Sequence, residues 1–163
     1  VNDLAKRLYK AQGNNRPLLD KSQSEEVVIA TIKKTFEVAG IKDAKGYIVV
    51  FTCNTCPYAI GYEQRIIELD KKFRPQGYPV IAINPNDPEA STADTFAKMQ
   101  DLAKDKKYPF PYLFDPGQKI TDSYGAKRTP HIFIVSKTSK GNTRPIWYCT
   151  NTCGYWSSSW QEI

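Results

Sequence analysis

The sequence predicts an α/β domain with a central sheet flanked by helices. Two observations carry that prediction: a fully apolar, β-branched run at residues 47–51 (YIVVF), and a helix-spaced segment after it that leads into a second apolar run at residues 80–83. Strand, helix, strand in that order is a βαβ unit. The composition fits, with 40% hydrophobic and 25% charged residues in a chain of 163, the size of one ordinary domain.

The elements follow in order. Residues 1–45 are polar and poorly placed. Within them Ser24 is able to cap a helix carrying Val28, Ile32 and Phe36 and stopping at Gly40, but the β-branched residues 27–32 suit a strand equally well. Residues 47–51 have no polar face, as expected of a strand buried on both sides. From Tyr58 to Phe73, apolar residues at Tyr62, Ile66, Leu69 and Phe73 mark one helical face, and Pro75 and Gly77 end it. After the strand at 80–83 comes a turn-rich loop, NPNDPEA. Ser91 followed by Asp94 has the spacing of a capping box, opening a helix with Phe96, Met99, Leu102 and Ala103 inward. The two prolines of YPFPYLF (108–114) leave only its end free for ladder pairing. Residues 117–124 read as a short helix with Gly125 at its left-handed cap, and residues 131–135 (HIFIV) as another strand. Residues 136–163 change character: all three Trp fall there with two of the four Cys, and no helical period is visible. The whole is expected to be a single domain, 1–163, with an atypical tail at 136–163.

Several functions are disfavoured at once. No run approaches the roughly 18–20 apolar residues of a membrane-spanning helix. The net charge is +6, but the basic residues are interleaved with acids and no basic run reaches five, so no nucleic-acid partner is expected. The single histidine forces any Ser-His or Cys-His hydrolysis through His131. An even cysteine count and a first residue other than Met favour an exported or periplasmic setting over the cytoplasm.

The sharpest feature is Cys53-Asn54-Thr55-Cys56-Pro57, between the buried strand and the amphipathic helix. At a helix start the backbone N–H groups lack intrahelical partners and the macrodipole is positive. A thiolate there is stabilised, and the thiol pKa falls below its free value of about 8.5. Pro57 is tolerated because first-turn N–H groups are unpaired anyway. Cys53 is expected to be the more exposed and Cys56 the more buried. Cys53 then attacks a substrate disulfide, and Cys56 displaces the mixed disulfide.

Other readings compete. Cys53 and Cys56 with Cys149 and Cys153 could form a zinc site, Cys53 and Cys56 with His131 a copper site, and Cys53 with Cys56 a structural disulfide. The second cysteine pair is a bridge, a second relay or free. Thr129-Pro130 precedes the HIFIV strand and is either a plain loop or a site element.

Four segments resemble the thioredoxin-like redoxins, the group of thiol-specific antioxidant and thiol–disulfide oxidoreductase proteins: YIVVFTCNTCPYA at 47–59, VIAINPNDPEA at 80–90, FPYLFDPGQKI at 110–120 and YGAKRTPHIFIV at 124–135. The resemblance implies a thioredoxin-like fold with a mixed sheet and an insertion between the βαβ unit and the strand after the cis-proline. It implies that Cys53 and Cys56 are the catalytic dithiol, that Thr129 and cis Pro130 face the substrate, and that Pro130 keeps metal off the thiols. Protein disulfides and a separate reductant are the implied partners, with no cofactor. Departures are visible too. Tyr47 and Ala59 stand where family members place carboxylates that serve the buried thiol. Residues 140–142 keep a turn, but residues 144–163 do not match the expected hairpin strand and closing helix. A peroxiredoxin-like peroxide reductase is the rival on this fold. It needs a Thr three residues before its cysteine, whereas Val50 stands before Cys53 and Cys53 itself before Cys56.

Overall fold

The computed structural model describes residues 41 and 44–137 in full and the backbone of 143–150. Readings made on residues 1–40, and the closing helix and Cys153, lie outside the described residues.

Strand β1 (Gly46–Phe51) leads into helix α1 (Pro57–Phe73), and β2 (Val80–Asn84) follows. Helix α2 (Phe96–Asp105), strand β3 (Tyr112–Phe114) and helix α3 (Lys119–Tyr124) come next. Strands β4 (His131–Lys137) and β5 (Thr143–Thr150) close the described chain. The five strands form one mixed sheet in the order β3-β2-β1-β4-β5. The pairs β1/β2 and β2/β3 are parallel, and β1/β4 and β4/β5 antiparallel. The expected thioredoxin-like architecture is present, and the insertion before β4 consists of α2, β3 and α3.

The apolar runs are explained by the two layers they bury. Successive side chains of a strand point to opposite faces. Tyr47, Val49 and Phe51 join Ile81, Ile83, Phe133, Val135 and Tyr124 of α3 on one face. Ile48 and Val50 join Val80, Ala82, Ile132 and the α1 residues Ile66, Leu69 and Phe73 on the other. Both faces are covered, so neither tolerates a polar residue. On the first face Phe51, Tyr124 and Phe133 meet edge to face, with centroids 5.3–5.6 Å apart.

Helix α1 ends where the sequence predicts. A 3₁₀ turn over Arg74–Gln76 follows, and Gly77 takes φ 94°, in the left-handed region. Asp70 ties that end to the sheet: its buried carboxylate receives Arg74 Nε at 2.8 Å and the Val80 amide at 2.8 Å.

Three sequence readings are corrected. Ser91 and Asp94 do not open α2, which is capped by Thr95, whose side chain accepts the Lys98 amide at 3.4 Å. The buried Asp94 carboxylate accepts the Ser91 hydroxyl at 2.6 Å, while the Ser91 amide donates to the Asp87 carbonyl at 2.9 Å, so the reciprocal bonds of a capping box are not made. Phe96 is 53% exposed rather than inward, because at the first turn only Met99 of α2 reaches the interior. Residues 144–150, read as a mismatch, form a strand paired with β4.

Candidate active site

The sheet register gathers the site. Phe51, the last residue of β1, pairs with Ile83 in parallel β2 and with His131 in antiparallel β4. The chain leaving β1, the chain leaving β2 and the chain entering β4 therefore meet at one end of the sheet. Cys53, Asn84 and Thr129-Pro130 lie on those three segments.

Cys53 and Cys56 straddle the opening of α1. Cys56 is the N-cap residue, Pro57 occupies the first turn, and no acidic residue stands there to offset the positive helix end. Thr129 touches both sulfurs. Its Oγ1 lies 3.2 Å from Cys53 Sγ, and its carbonyl accepts from Cys56 Sγ at 3.4 Å. The Thr129-Pro130 peptide bond is cis, and Pro130 is buried.

The expected order of exposure is reversed. Cys53 is 4% exposed, while Cys56 is half-buried. The reason lies in the elements: β1 is buried to its end, and Thr52 and Cys53 continue it beneath the Thr129 segment. Helix α1 instead begins at the surface, beside Tyr58 at 65% exposure.

Burial acts against a charge on Cys56 and is the largest single influence. The backbone N–H of Ala59, the Thr129 side chain, the Tyr58 N–H and the Cys53 thiol outweigh it together. The Cys56 thiol is thereby held below the ordinary thiol range. The stabilisation expected at the helix start is present, at the second cysteine.

The proton-transfer positions are empty of carboxylates. Tyr47 is buried and donates its hydroxyl to the Ile41 carbonyl at 2.6 Å, and Ala59 is fully buried. His131 is 3% exposed, and its Nδ1 accepts the Lys127 amide at 3.2 Å. Burial, with the neighbouring Arg128 charge, lowers His131 to about 4, so it is neutral at physiological pH. Among the described residues no three His, Cys, Asp or Glu side chains gather as a metal site, so Cys53, Cys56 and His131 do not form the copper triad. Cys149, on β5, pairs in register with Ile132 of β4.

Sequence reasoning gave Asp94 to a helix cap and not to the site. Its carboxylate receives the Asn54 amide at 2.7 Å and the Thr55 hydroxyl at 2.9 Å, the two residues between the cysteines. Asn54 also donates its side-chain amide to the Ala93 carbonyl at 2.8 Å and accepts the Tyr112 hydroxyl at 2.9 Å. A signal existed: residues 84–91 are dense in amide and hydroxyl donors that a buried acid can use.

The model of the AhpC/TSA family matches residues 22–141. A curated relative, the thiol-disulfide oxidoreductase ResA of Halalkalibacterium halodurans, is 26% identical over 95 residues, 58% of this chain and 50% of the relative. The chain thus spans about half the length of that relative. Among solved structures, an uncharacterized conserved protein from Geobacillus kaustophilus superposes with a TM-score of 0.60 at 30% identity, over 66% of this chain and 55% of that one. A thioredoxin-family thiol:disulfide interchange protein from Chlorobium tepidum TLS superposes with a TM-score of 0.51 at 17% identity, over 66% and 70% of the two chains, a likeness of fold. With the family model matched from before β1 through β4, and this sheet and cis-proline in place, the chain belongs to the AhpC/TSA family of thioredoxin-like redoxins.

Proposed function

We propose that this chain is a thiol–disulfide oxidoreductase acting on protein disulfides through Cys53 and Cys56. The observation that carries the proposal is the contact of one residue, Thr129, with both sulfurs at the start of α1. Two thiols, a stabilised thiolate and a loop that holds them together are the parts that disulfide exchange requires. The 26% identity to a thiol-disulfide oxidoreductase supports the same reading.

The exchange balances as follows. One thiolate attacks a substrate sulfur, the substrate S–S bond breaks, and the departing sulfur leaves as a thiolate that takes up a proton. The second thiol loses its proton and attacks the first, closing the Cys53–Cys56 bond and releasing the other substrate sulfur. Two electrons pass to the substrate, and a separate thiol reductant restores the dithiol. Protein disulfides persist in oxidising compartments, so this substrate class suits an exported setting.

The sequence order assigns attack to Cys53 and resolution to Cys56. The greater exposure and lowered pKa of Cys56 favour the opposite order as a second reading. Single-cysteine trapping separates them, because the variant that keeps the attacking sulfur accumulates mixed disulfide with a substrate. Peroxide reduction is less well supported: Val50, in the position of the peroxide-orienting Thr, is an apolar residue with no exposure.

The test is insulin reduction by dithiothreitol. The wild type accelerates it, and Cys53→Ser and Cys56→Ser both return it to the uncatalysed rate. Equal acceleration by the wild type and either variant would falsify the dithiol mechanism.

A further inference from the structure

We propose that Asp94 is a positioning residue for the dithiol, clamping the Cys53–Cys56 loop so that closure of the disulfide is favoured. The inference rests on the dithiol reading above and adds to it the residue that tunes the pair.

Asp94 has no exposed surface. Five donors converge on its carboxylate: the Asn54 amide (2.7 Å) and Asn84 Nδ2 (3.1 Å) on Oδ1, and Thr55 Oγ1 (2.9 Å), Asn86 Nδ2 (2.9 Å) and Ser91 Oγ (2.6 Å) on Oδ2. A carboxylate offers about four lone-pair sites, so this one is fully satisfied. Burial alone would raise its pKa; the Ser91, Asn86, Asn54 and Asn84 donors outweigh burial and lower it, so it is charged at neutral pH.

The donors fall into two groups. Asn84, Asn86 and Ser91 anchor the carboxylate to the end of β2 and the loop after it. Asn54 and Thr55 are the only residues between the two cysteines, and lie 40 and 39 positions from Asp94 in sequence. A hydrogen bond within α2 or its own loop would need neither. The carboxylate therefore joins the dithiol loop to the sheet at a main-chain atom and a side-chain atom of consecutive residues. Asn54 is fixed further through Ala93 and Tyr112.

Holding the loop before the bond forms raises the effective concentration of one thiol at the other. Without the clamp, residues 54 and 55 lose more conformational freedom when the ring closes, and the disulfide becomes the less favoured state. Closure itself removes one proton from each thiol and two electrons from the sulfur pair. Oxidised glutathione accepts both electrons and both protons and becomes two reduced molecules.

The experiment equilibrates the full chain in glutathione redox buffers and scores the Cys53–Cys56 bond at the peptide level. Relative to wild type, Asp94→Asn lowers the equilibrium constant for disulfide formation about tenfold, a rise of roughly 30 mV in potential. Thr55→Val, which removes one donor and leaves the carboxylate in place, lowers it about threefold, in proportion to one of the two links to the loop. A merely structural Asp94 destabilises the oxidised and reduced forms equally, so melting both forms of each variant is the control. Equal losses of melting temperature with an unchanged glutathione constant overturn the proposal. Should Asp94→Asn fail to fold, an unchanged constant in Thr55→Val overturns it. A wild type that forms no Cys53–Cys56 bond at any glutathione ratio overturns the dithiol reading itself, a result distinct from a variant that matches the wild type.

Discussion

At the scale of single residues, the site is a competition over one proton. Cys56 stands at a helix N-cap with amide N–H groups on one side and Thr129 and Cys53 on the other. The ionisation is read at Cys56, whose thiol is held below the ordinary range. The sign is definite: a depressed pKa keeps the thiolate populated as pH falls. Alkylation of Cys56 by iodoacetamide in the reduced protein therefore reaches half its plateau rate below the free-thiol value of about 8.5. Thr129→Val removes one of the donors and moves that midpoint upward. A wild-type midpoint at or above the free-thiol value, followed by peptide mass spectrometry, would remove the helix start as the source of reactivity. His131 is unsuited to the missing base, since burial keeps it neutral down to about pH 4.

At the scale of elements, what could be read from the sequence depended on whether a residue's role was local. Strand β1 and helix α1 announced themselves because burial on two faces and on one stripe leaves a period in the chain. Gly77 and Gly125 marked their turns because left-handed backbone selects glycine, and both carry positive φ. Cys53, Cys56, Thr129 and Pro130 were legible as a set only through family resemblance, since 73 or more positions separate the cysteines from Thr129. The relative burial of the two cysteines was not legible, because it depends on the loop entering β4, which covers the end of β1. Asp94 was misassigned for the same reason. Its spacing from Ser91 imitates a capping box, and Ser91 does donate to it, but two of its donors come from the loop between the cysteines, about 40 positions away. Close packing at the other end of β1 gives a test of the sheet. A Cβ on Gly46 would collide with the Val135 carbonyl oxygen and approach the Tyr78 ring at 2.7 Å. Gly46→Ala must therefore push β4 or Tyr78 aside, an overpacking cost of about 1–3 kcal/mol. In a chain of this size that lowers the melting temperature by roughly 2–12 °C. A variant as stable as wild type in calorimetry would mean that β1 and β4 are not packed in this register.

At the scale of the whole molecule, the redox state of two sulfurs is coupled to global stability through the proton. In the folded, reduced protein Cys56 ionises more readily than an ordinary thiol. In the unfolded chain it reverts to the free-thiol value, and in the oxidised protein it has no proton to release. Between the folded and the unfolded pKa, the unfolded reduced chain holds more protons than the folded one, so the stability of the reduced form rises with pH. Its contribution is complete above the free-thiol pKa and disappears as pH falls through the folded one. The oxidised form lacks this dependence because the bond consumes both thiols, while it shares the titrating groups outside the pair. The difference in melting temperature between reduced and oxidised protein, followed by calorimetry from pH 5 to pH 9, therefore shifts in favour of the reduced form as pH rises. Asp94 works in the opposite direction, by favouring closure of the ring, and its effect carries no comparable pH dependence here because its carboxylate, with a lowered pKa, stays charged across this range. The pH-dependent part of the difference thus isolates the thiolate, and the part that survives at low pH contains the clamp. A difference that stays flat across the series would mean that the helix start does not hold the charge, and the exchange chemistry would then need another source for its thiolate.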